Sequence, residues 1–100
     1  MDNREPEPMQ KEEAQVLLDI GDDVTQEVIR ARSMYPKFSC LHEALAVLWE
    51  EFEELKLEVF KKNASPDKLH DEAIQVAAMA VRLIQDCCIK GEEKDDDKSN

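Results

Sequence analysis

The amino-acid sequence predicts an all-α fold, a helical bundle of three main helices that spans about residues 11–90. Only two glycines occur in the 100 residues, and apolar residues recur at spacings of three and four over three long stretches. The alternating apolar and polar pattern that is typical of strands is scarce. A chain of this length buries only about 60 to 70% of its surface on folding. We therefore expect that oligomerisation completes the core.

The first helix is predicted over about residues 11–35. Its apolar stripe consists of Leu17, Val24, Val28 and Ala31. Gly21 and the two aspartates that follow it are expected either to kink this helix or to restart it with a new cap. Pro36 predicts its end, because the residue before a proline is disfavoured in the helical conformation.

The second helix is predicted to start with Ser39 as its N-cap and to reach about Lys62. Its apolar residues follow a heptad-like spacing. They are Leu41, Leu45, Leu48, Phe52, Leu55 and Val59. We expect this stripe to be buried in the core.

The third helix is predicted to start at Ser65, a favourable N-cap that is followed by Pro66 at the first helical position. It should reach about Lys90, where Gly91 ends it. Between these limits it is apolar on nearly all sides, which is typical of a helix in the centre of a bundle or at a subunit interface.

The charge distribution limits the possible partners. The formal net charge is -11, and much of it lies in residues 1–14 and 91–100. We expect the acidic segments 1–10 and 91–100 to be disordered. An acidic surface repels phosphate backbones, so we expect no nucleic acid polymer as partner.

The chain has three cysteines without a CxxC pair, no signal peptide and no long apolar run. We expect a cytoplasmic protein without a membrane partner.

Acidic residues of the second and third helices are the candidates for chemistry. Glu51 and Glu54 are three residues apart and share a helix face at the edge of the apolar stripe, with Glu50 beside them. If the second and third helices pack antiparallel, Glu72 comes close to this pair. Such carboxylates suit a hard cation such as Mg²⁺. The alternative is a solvated helix face with Glu–Lys pairs.

The third helix carries one polar strip. Its members are Glu72, Gln75, Met79, Arg82 and Asp86, with Asp71 beside its start. Arg82 can reach a phosphate or form an ion pair with Asp86 four residues later, and we favour the ion pair. The aromatic residues Tyr35, Phe38 and Trp49 are candidates for stacking on a base, although anchoring in the core or at an interface is the favoured interpretation.

At these residues the sequence resembles a known family. Residues 50–55 (EEFEEL) and 71–78 (DEAIQVAA) resemble the MazG-like all-α nucleoside triphosphate pyrophosphohydrolases, whose signature is ExxE, a spacer and ExxD. Glu51 and Glu54 match the first pair and Glu72 matches the next glutamate, whereas Gln75 replaces the final aspartate. The resemblance extends from about Val16 to Asp86.

The resemblance implies a bundle completed as a homodimer or homotetramer, with a nucleoside triphosphate as substrate. It implies that Glu51, Glu54, Glu72 and Gln75 hold Mg²⁺, for which Mn²⁺ can substitute, and that Glu50 orients or deprotonates the attacking water. Asp71 and Arg82 are possible auxiliary residues. Water would attack the α-phosphorus and release pyrophosphate and a nucleoside monophosphate. Because Gln75 contributes no charge, the alternative is a catalytically weak or inactive oligomer of the same fold that binds nucleotides or another protein.

Overall fold

The computed structural model describes residues 6–89, which are all-helical and contain no strand. Helix α1 spans Lys11–Met34, α2 spans Leu41–Val59 and α3 spans Pro66–Leu83, and a π-helical segment, Ile84–Cys88, continues α3. The all-α prediction with three main helices is therefore confirmed. Residues 1–5 and 90–100 lie outside the described residues. They include most of the two segments predicted to be disordered and the predicted end of the third helix. Within 6–89, none of the helices combines the length and apolar character that crossing a bilayer requires.

Helix α1 is continuous through Gly21, so neither of the expected interruptions occurs. The Thr25 hydroxyl donates a hydrogen bond of 2.9 Å to the Gly21 carbonyl oxygen, one turn earlier. At the start of the helix, the backbone N–H of Gln10 donates to the Glu13 carboxylate at 2.9 Å. At the end, Tyr35 has an extended backbone, which agrees with the restriction that Pro36 imposes.

The start of α2 differs from the prediction. Cys40, with an extended backbone, is the N-cap residue, and its side chain makes no capping hydrogen bond. Ser39 lies one position earlier, where its N–H and its hydroxyl donate to the Glu43 carboxylate at 2.6 and 2.9 Å. These two hydrogen bonds lower the pKa of Glu43. The cap is thus made by a glutamate that reaches back, and Ser39 was wrongly predicted to be the N-cap.

Helix α2 ends at Val59, three residues before the predicted Lys62. The buried Glu58 carboxylate explains the turn that follows, since it binds the Lys61 ammonium at 2.9 Å and accepts the Ser65 N–H at 3.2 Å. The Lys61 and Ser65 hydrogen bonds lower the pKa of Glu58. Ser65 then caps α3 as predicted, because its hydroxyl accepts the Lys68 N–H at 3.3 Å.

Helix α3 packs against both α1 and α2, as its apolar sequence predicts. The core cluster between the helices is small, and three of its six buried residues are alanines. Its buried members are Val28, Ala31, Phe38, Ala44, Ala78 and Met79. No large side chain is less than 2% exposed among residues 6–89. The described chain therefore has little apolar burial to stabilise it.

The predicted core stripe of α2 is largely at the surface. Leu41, Leu45, Phe52 and Val59 are each at least half exposed, and only Leu48 and Leu55 are partly buried. Helix α2 instead turns Ala44 and Glu58 toward its neighbours. A small side chain such as Ala44 allows close approach of two helices, whereas the periodicity of leucines identifies an apolar face without identifying what covers it. We call the exposed residues Leu45, Trp49 and Phe52, with Val76 of α3, the α2 apolar face.

Two buried charged residues fasten the connection between α1 and α2 to α3. The Asp86 carboxylate, 1% exposed, accepts the Phe38 N–H at 3.0 Å and forms an ion pair with Arg32 of α1. Arg82, 3% exposed, donates to the Pro36 carbonyl oxygen at 3.0 Å, and its guanidinium lies 4.3 Å from the centre of the Phe38 ring.

The predicted ion pair between Arg82 and Asp86 is therefore wrong, since Asp86 pairs with Arg32 instead. The π-helical segment accounts for the difference. In it the Ile89 N–H donates to the Ile84 carbonyl oxygen at 3.0 Å, a spacing of five residues in place of four. Asp86 lies in this wider turn, after the regular helix that contains Arg82.

We predict that Asp86→Asn lowers the free energy of unfolding by about 1–3 kcal/mol, because it leaves Arg32 without its charged partner. Burial alone would raise the pKa of Asp86, but the Phe38 N–H and Arg32 outweigh burial and lower it. The charge of Asp86 therefore stabilises the fold above the ordinary carboxyl pKa of 3.8, and this stabilisation is lost as the pH falls through the lowered value.

Urea unfolding at pH 7 measures this effect. The control is Asp71→Asn, because the Asp71 side chain is 74% exposed and its replacement should change stability by less than about 0.5 kcal/mol. Equal stability of the two variants would contradict a fastening role for Asp86.

Candidate functional site

Three carboxylates from two helices meet at the contact between α2 and α3. Glu51, Glu54 and Glu72 each place a carboxylate oxygen within 4.8 Å of the others. The spacing of three residues brings the first two together on one face of α2. The short turn after α2 makes α3 antiparallel to it, so that Glu72, early in α3, lies opposite. This proximity was predicted from the sequence. We call these three residues the carboxylate cluster.

The carboxylate cluster is electrostatically unfavourable without a cation. Glu51 is half-buried, and burial raises its pKa; the charges of Glu54 and Glu72 raise it further. Glu72 is also half-buried, whereas Glu54 is exposed. The donor set is all oxygen, is held by packing on one side and is open to water on the other. These properties fit Mg²⁺ or Mn²⁺, which prefer oxygen ligands and retain several waters.

A cavity of about 390 Å³ lies next to the carboxylate cluster, between the three helices and the connection from α1 to α2. Its volume lies in the range of small-molecule sites, about 300–1,000 Å³. Glu50 and Glu51 line one part of it, and Arg30 and Arg82 line another. The cavity therefore presents acidic and basic groups to the same enclosed space.

Glu50, the predicted water-activating residue, is exposed and borders this cavity beside Glu51. Gln75, the predicted fourth ligand, is half-buried in the cavity wall. Its amide lies next to Glu27 of α1. The structure thus brings Glu50 and Gln75 to the same cavity, while the close group of three carboxylates consists of Glu51, Glu54 and Glu72.

Glu27 is a cavity residue that the sequence analysis missed. It accepts hydrogen bonds from the Arg30 Nε at 3.0 and 3.2 Å. The Arg30 guanidinium, and to a smaller extent the Gln75 amide, lower the pKa of Glu27 against the opposing effect of burial. A sequence signal was available, because Glu27 interrupts the stripe of α1 that contains Val24 and Val28.

The two predicted auxiliary residues lie in different places. Asp71 is exposed, 3.4 Å from the His70 ring, in a surface depression that also contains Asp23. It does not join the carboxylate cluster found within residues 6–89. Arg82 lines the cavity from the third helix. Only Arg82 is therefore placed to meet a ligand in that cavity.

We predict that Glu51→Gln, without divalent cations, raises the melting temperature at pH 7 by roughly 1–4 °C, because it removes like-charge repulsion worth a few tenths of a kcal/mol. A raised carboxyl pKa means that the ionised group opposes folding at neutral pH. This cost disappears as the pH falls through the raised pKa, so the two proteins should converge near pH 4.

Thermal unfolding followed by circular dichroism at both pH values measures this difference. Glu53→Gln is the matched control, since Glu53 lies on the same helix and pairs with Lys56 at 3.4 Å on the surface. A Glu51→Gln protein that melts below the wild type at pH 7 would contradict the repulsion.

Comparisons of this chain with models of protein families, with curated proteins and with solved structures find no match. The resemblance to MazG-like pyrophosphohydrolases stays a prediction from the motif residues. A functional assignment depends on the chemistry of the carboxylate cluster and the cavity beside it.

Proposed function

We propose that the protein is a Mg²⁺-dependent nucleoside triphosphate pyrophosphohydrolase, which converts a (d)NTP and water into a (d)NMP and pyrophosphate. The observation that carries this proposal is the meeting of Glu51, Glu54 and Glu72 within 4.8 Å of one another, with Glu51 also lining the 390 Å³ cavity. Carboxylates this close are suited to a divalent cation, and a divalent cation is what a triphosphate requires in an otherwise acidic site.

In this mechanism the residues of the carboxylate cluster hold the metal. Bound Mg²⁺ would offset the charge of the phosphates and lower the pKa of a coordinated water. Glu50, exposed beside Glu51 at the cavity, orients the attacking water or accepts its proton. Phosphoryl transfer needs positioning and charge neutralisation more than a covalent nucleophile, so the three helices need to supply no serine or cysteine.

Gln75 and Glu27 modify the charge of this site. An amide oxygen at position 75 can hold a metal-bound water but adds no negative charge. Glu27 places a carboxylate next to that amide, although Arg30 neutralises it in the present arrangement. The site therefore operates with three close carboxylates, and we expect weaker metal binding than four would give.

We propose further that a second copy of the chain covers the α2 apolar face, which makes the protein a homodimer or homotetramer. Leu45, Trp49 and Phe52 are 50, 60 and 50% exposed, while the core of the described chain contains no fully buried large side chain. A small domain buries little apolar surface by itself, so covering an exposed apolar face stabilises it. Each copy of the chain carries the same α2 apolar face, so one symmetric contact buries the faces of two copies against each other.

Turnover tests the enzymatic proposal. Purified protein is incubated with a panel of (d)NTPs and Mg²⁺ or Mn²⁺, and pyrophosphate and monophosphate are quantified. We expect metal-dependent release of both products and a loss of at least about a hundredfold in kcat/KM for Glu54→Ala.

Glu53→Ala is the matched control for turnover and should retain wild-type activity, since Glu53 lies outside the carboxylate cluster. Absence of metal-dependent turnover would reject the enzyme and favour a non-catalytic oligomer that binds nucleotides or another protein. Turnover that is insensitive to Glu54→Ala would place the chemistry elsewhere.

Assembly is tested by sedimentation velocity on Trp49→Arg. A charge in the centre of an apolar contact should shift the protein to monomer, because burying the arginine there removes its hydration. Ile29→Arg is the control, since Ile29 is 57% exposed on α1 and lies outside the α2 apolar face. A wild type that is already monomeric, or dissociation caused by the control alone, would contradict this interface.

A further inference from the structure

Arg82 is a buried cation whose hydrogen bonding is incomplete. Only 3% of it is exposed, and its Nε has no hydrogen-bond partner among residues 6–89. One terminal nitrogen donates to the Pro36 carbonyl oxygen, and the other lies 3.6 Å from the Met79 sulfur, a weak acceptor. Asp86, the nearest acid along the helix, is engaged by Arg32. Burying such a donor without a partner is unfavourable, so an acceptor brought to it would be bound strongly.

Arg82 also forms part of the cavity wall, on the same strip of α3 as Glu72 and Gln75. It lies ten residues after Glu72, which is about 15 Å at 1.5 Å per residue. A triphosphate anchored at the carboxylate cluster is shorter than this distance. A nucleoside attached to that triphosphate would lengthen the ligand enough to reach Arg82 along α3.

The cavity wall around Arg82 suits a flat ring. Tyr35, Phe38, Val47 and Met79 line it with aromatic and apolar surface. Phe38 is already covered by the guanidinium, whereas Tyr35 is 54% exposed. Aromatic and apolar surface beside the Arg82 guanidinium matches a nucleobase, which combines a stacking face with carbonyl oxygens and ring nitrogens at its edge.

We propose that the nucleobase of the substrate occupies this part of the cavity and accepts a hydrogen bond from the Arg82 guanidinium, which makes Arg82 a specificity-determining residue. This inference rests on the proposed function, because the carboxylate cluster must hold the triphosphate for the base to reach Arg82. Arg82 recognises the nucleoside and not the phosphates.

Calorimetric titration with two kinds of probe tests this assignment. Non-hydrolysable α,β-imido nucleoside triphosphates of the four common bases carry both parts of the ligand, whereas inorganic tripolyphosphate carries only the phosphates. Both are titrated, in Mg²⁺, into the wild type, Arg82→Met and Arg82→Lys. We expect Arg82→Met to weaken binding of the preferred nucleotide by about ten- to a hundredfold, with tripolyphosphate affinity unchanged. Arg82→Lys keeps the charge but lacks the planar fork, and we expect an intermediate loss.

The other outcomes separate the inference from the function on which it rests. Equal weakening of both probes, or no change with either, would overturn the role of Arg82 in base recognition. Wild-type protein that binds tripolyphosphate as tightly as every nucleotide would also overturn it while leaving the metal-bound phosphate site intact. No Mg²⁺-dependent binding of either probe would reject the proposed function. If neither variant keeps the helical circular dichroism of the wild type, Arg82 is structural and the inference fails.

Discussion

The fold depends on the fastening of the connection from α1 to α2 onto α3 by Arg82 and Asp86. Helix α1 would otherwise be joined to the rest by a few small apolar contacts, since its buried residues are only Val28 and Ala31. Two buried charges supply the missing attachment through directional hydrogen bonds to Pro36 and Phe38. Bonds of this kind define one geometry, because a shifted connection would leave a buried charge without a partner.

The carboxylate cluster opposes that stability. Three like charges within 4.8 Å are retained at the same contact of α2 and α3 that holds the hairpin together. Half-burial strengthens their repulsion because water screens them less. A protein that carries such an arrangement on a small core gives up stability at one place.

Local chemistry made part of the fold predictable. Pro36 and Ser65 mark helix boundaries through effects within a few residues, and both were placed correctly. Ser39 was misassigned because its partner is a glutamate four residues later, which competes with a serine cap. The spacing of Glu51 and Glu54, followed by a short turn and Glu72, was enough to predict the carboxylate cluster.

What could not be predicted depends on distant contacts. Periodicity identifies an apolar face of α2 but not the element that covers it, so Leu45 and Phe52 were wrongly expected in the core of one chain. Glu27 belongs to a helix that the motif does not include; its place in the α1 stripe was visible in the sequence, but only tertiary packing brings it beside Gln75. The pairing of Asp86 with Arg32 required the π-helical segment, for which the sequence offers no clear signal.

The close approach of α2 and α3 depends on two residues without functional groups. Ala44 and Ala78 are both completely buried in the core cluster. Ala44 lies two helical turns before Glu51, and Ala78 lies six residues after Glu72. A larger side chain at either position would push the helices apart and widen the spacing of the carboxylates. The distance between the three carboxylates is thereby encoded partly in two methyl groups.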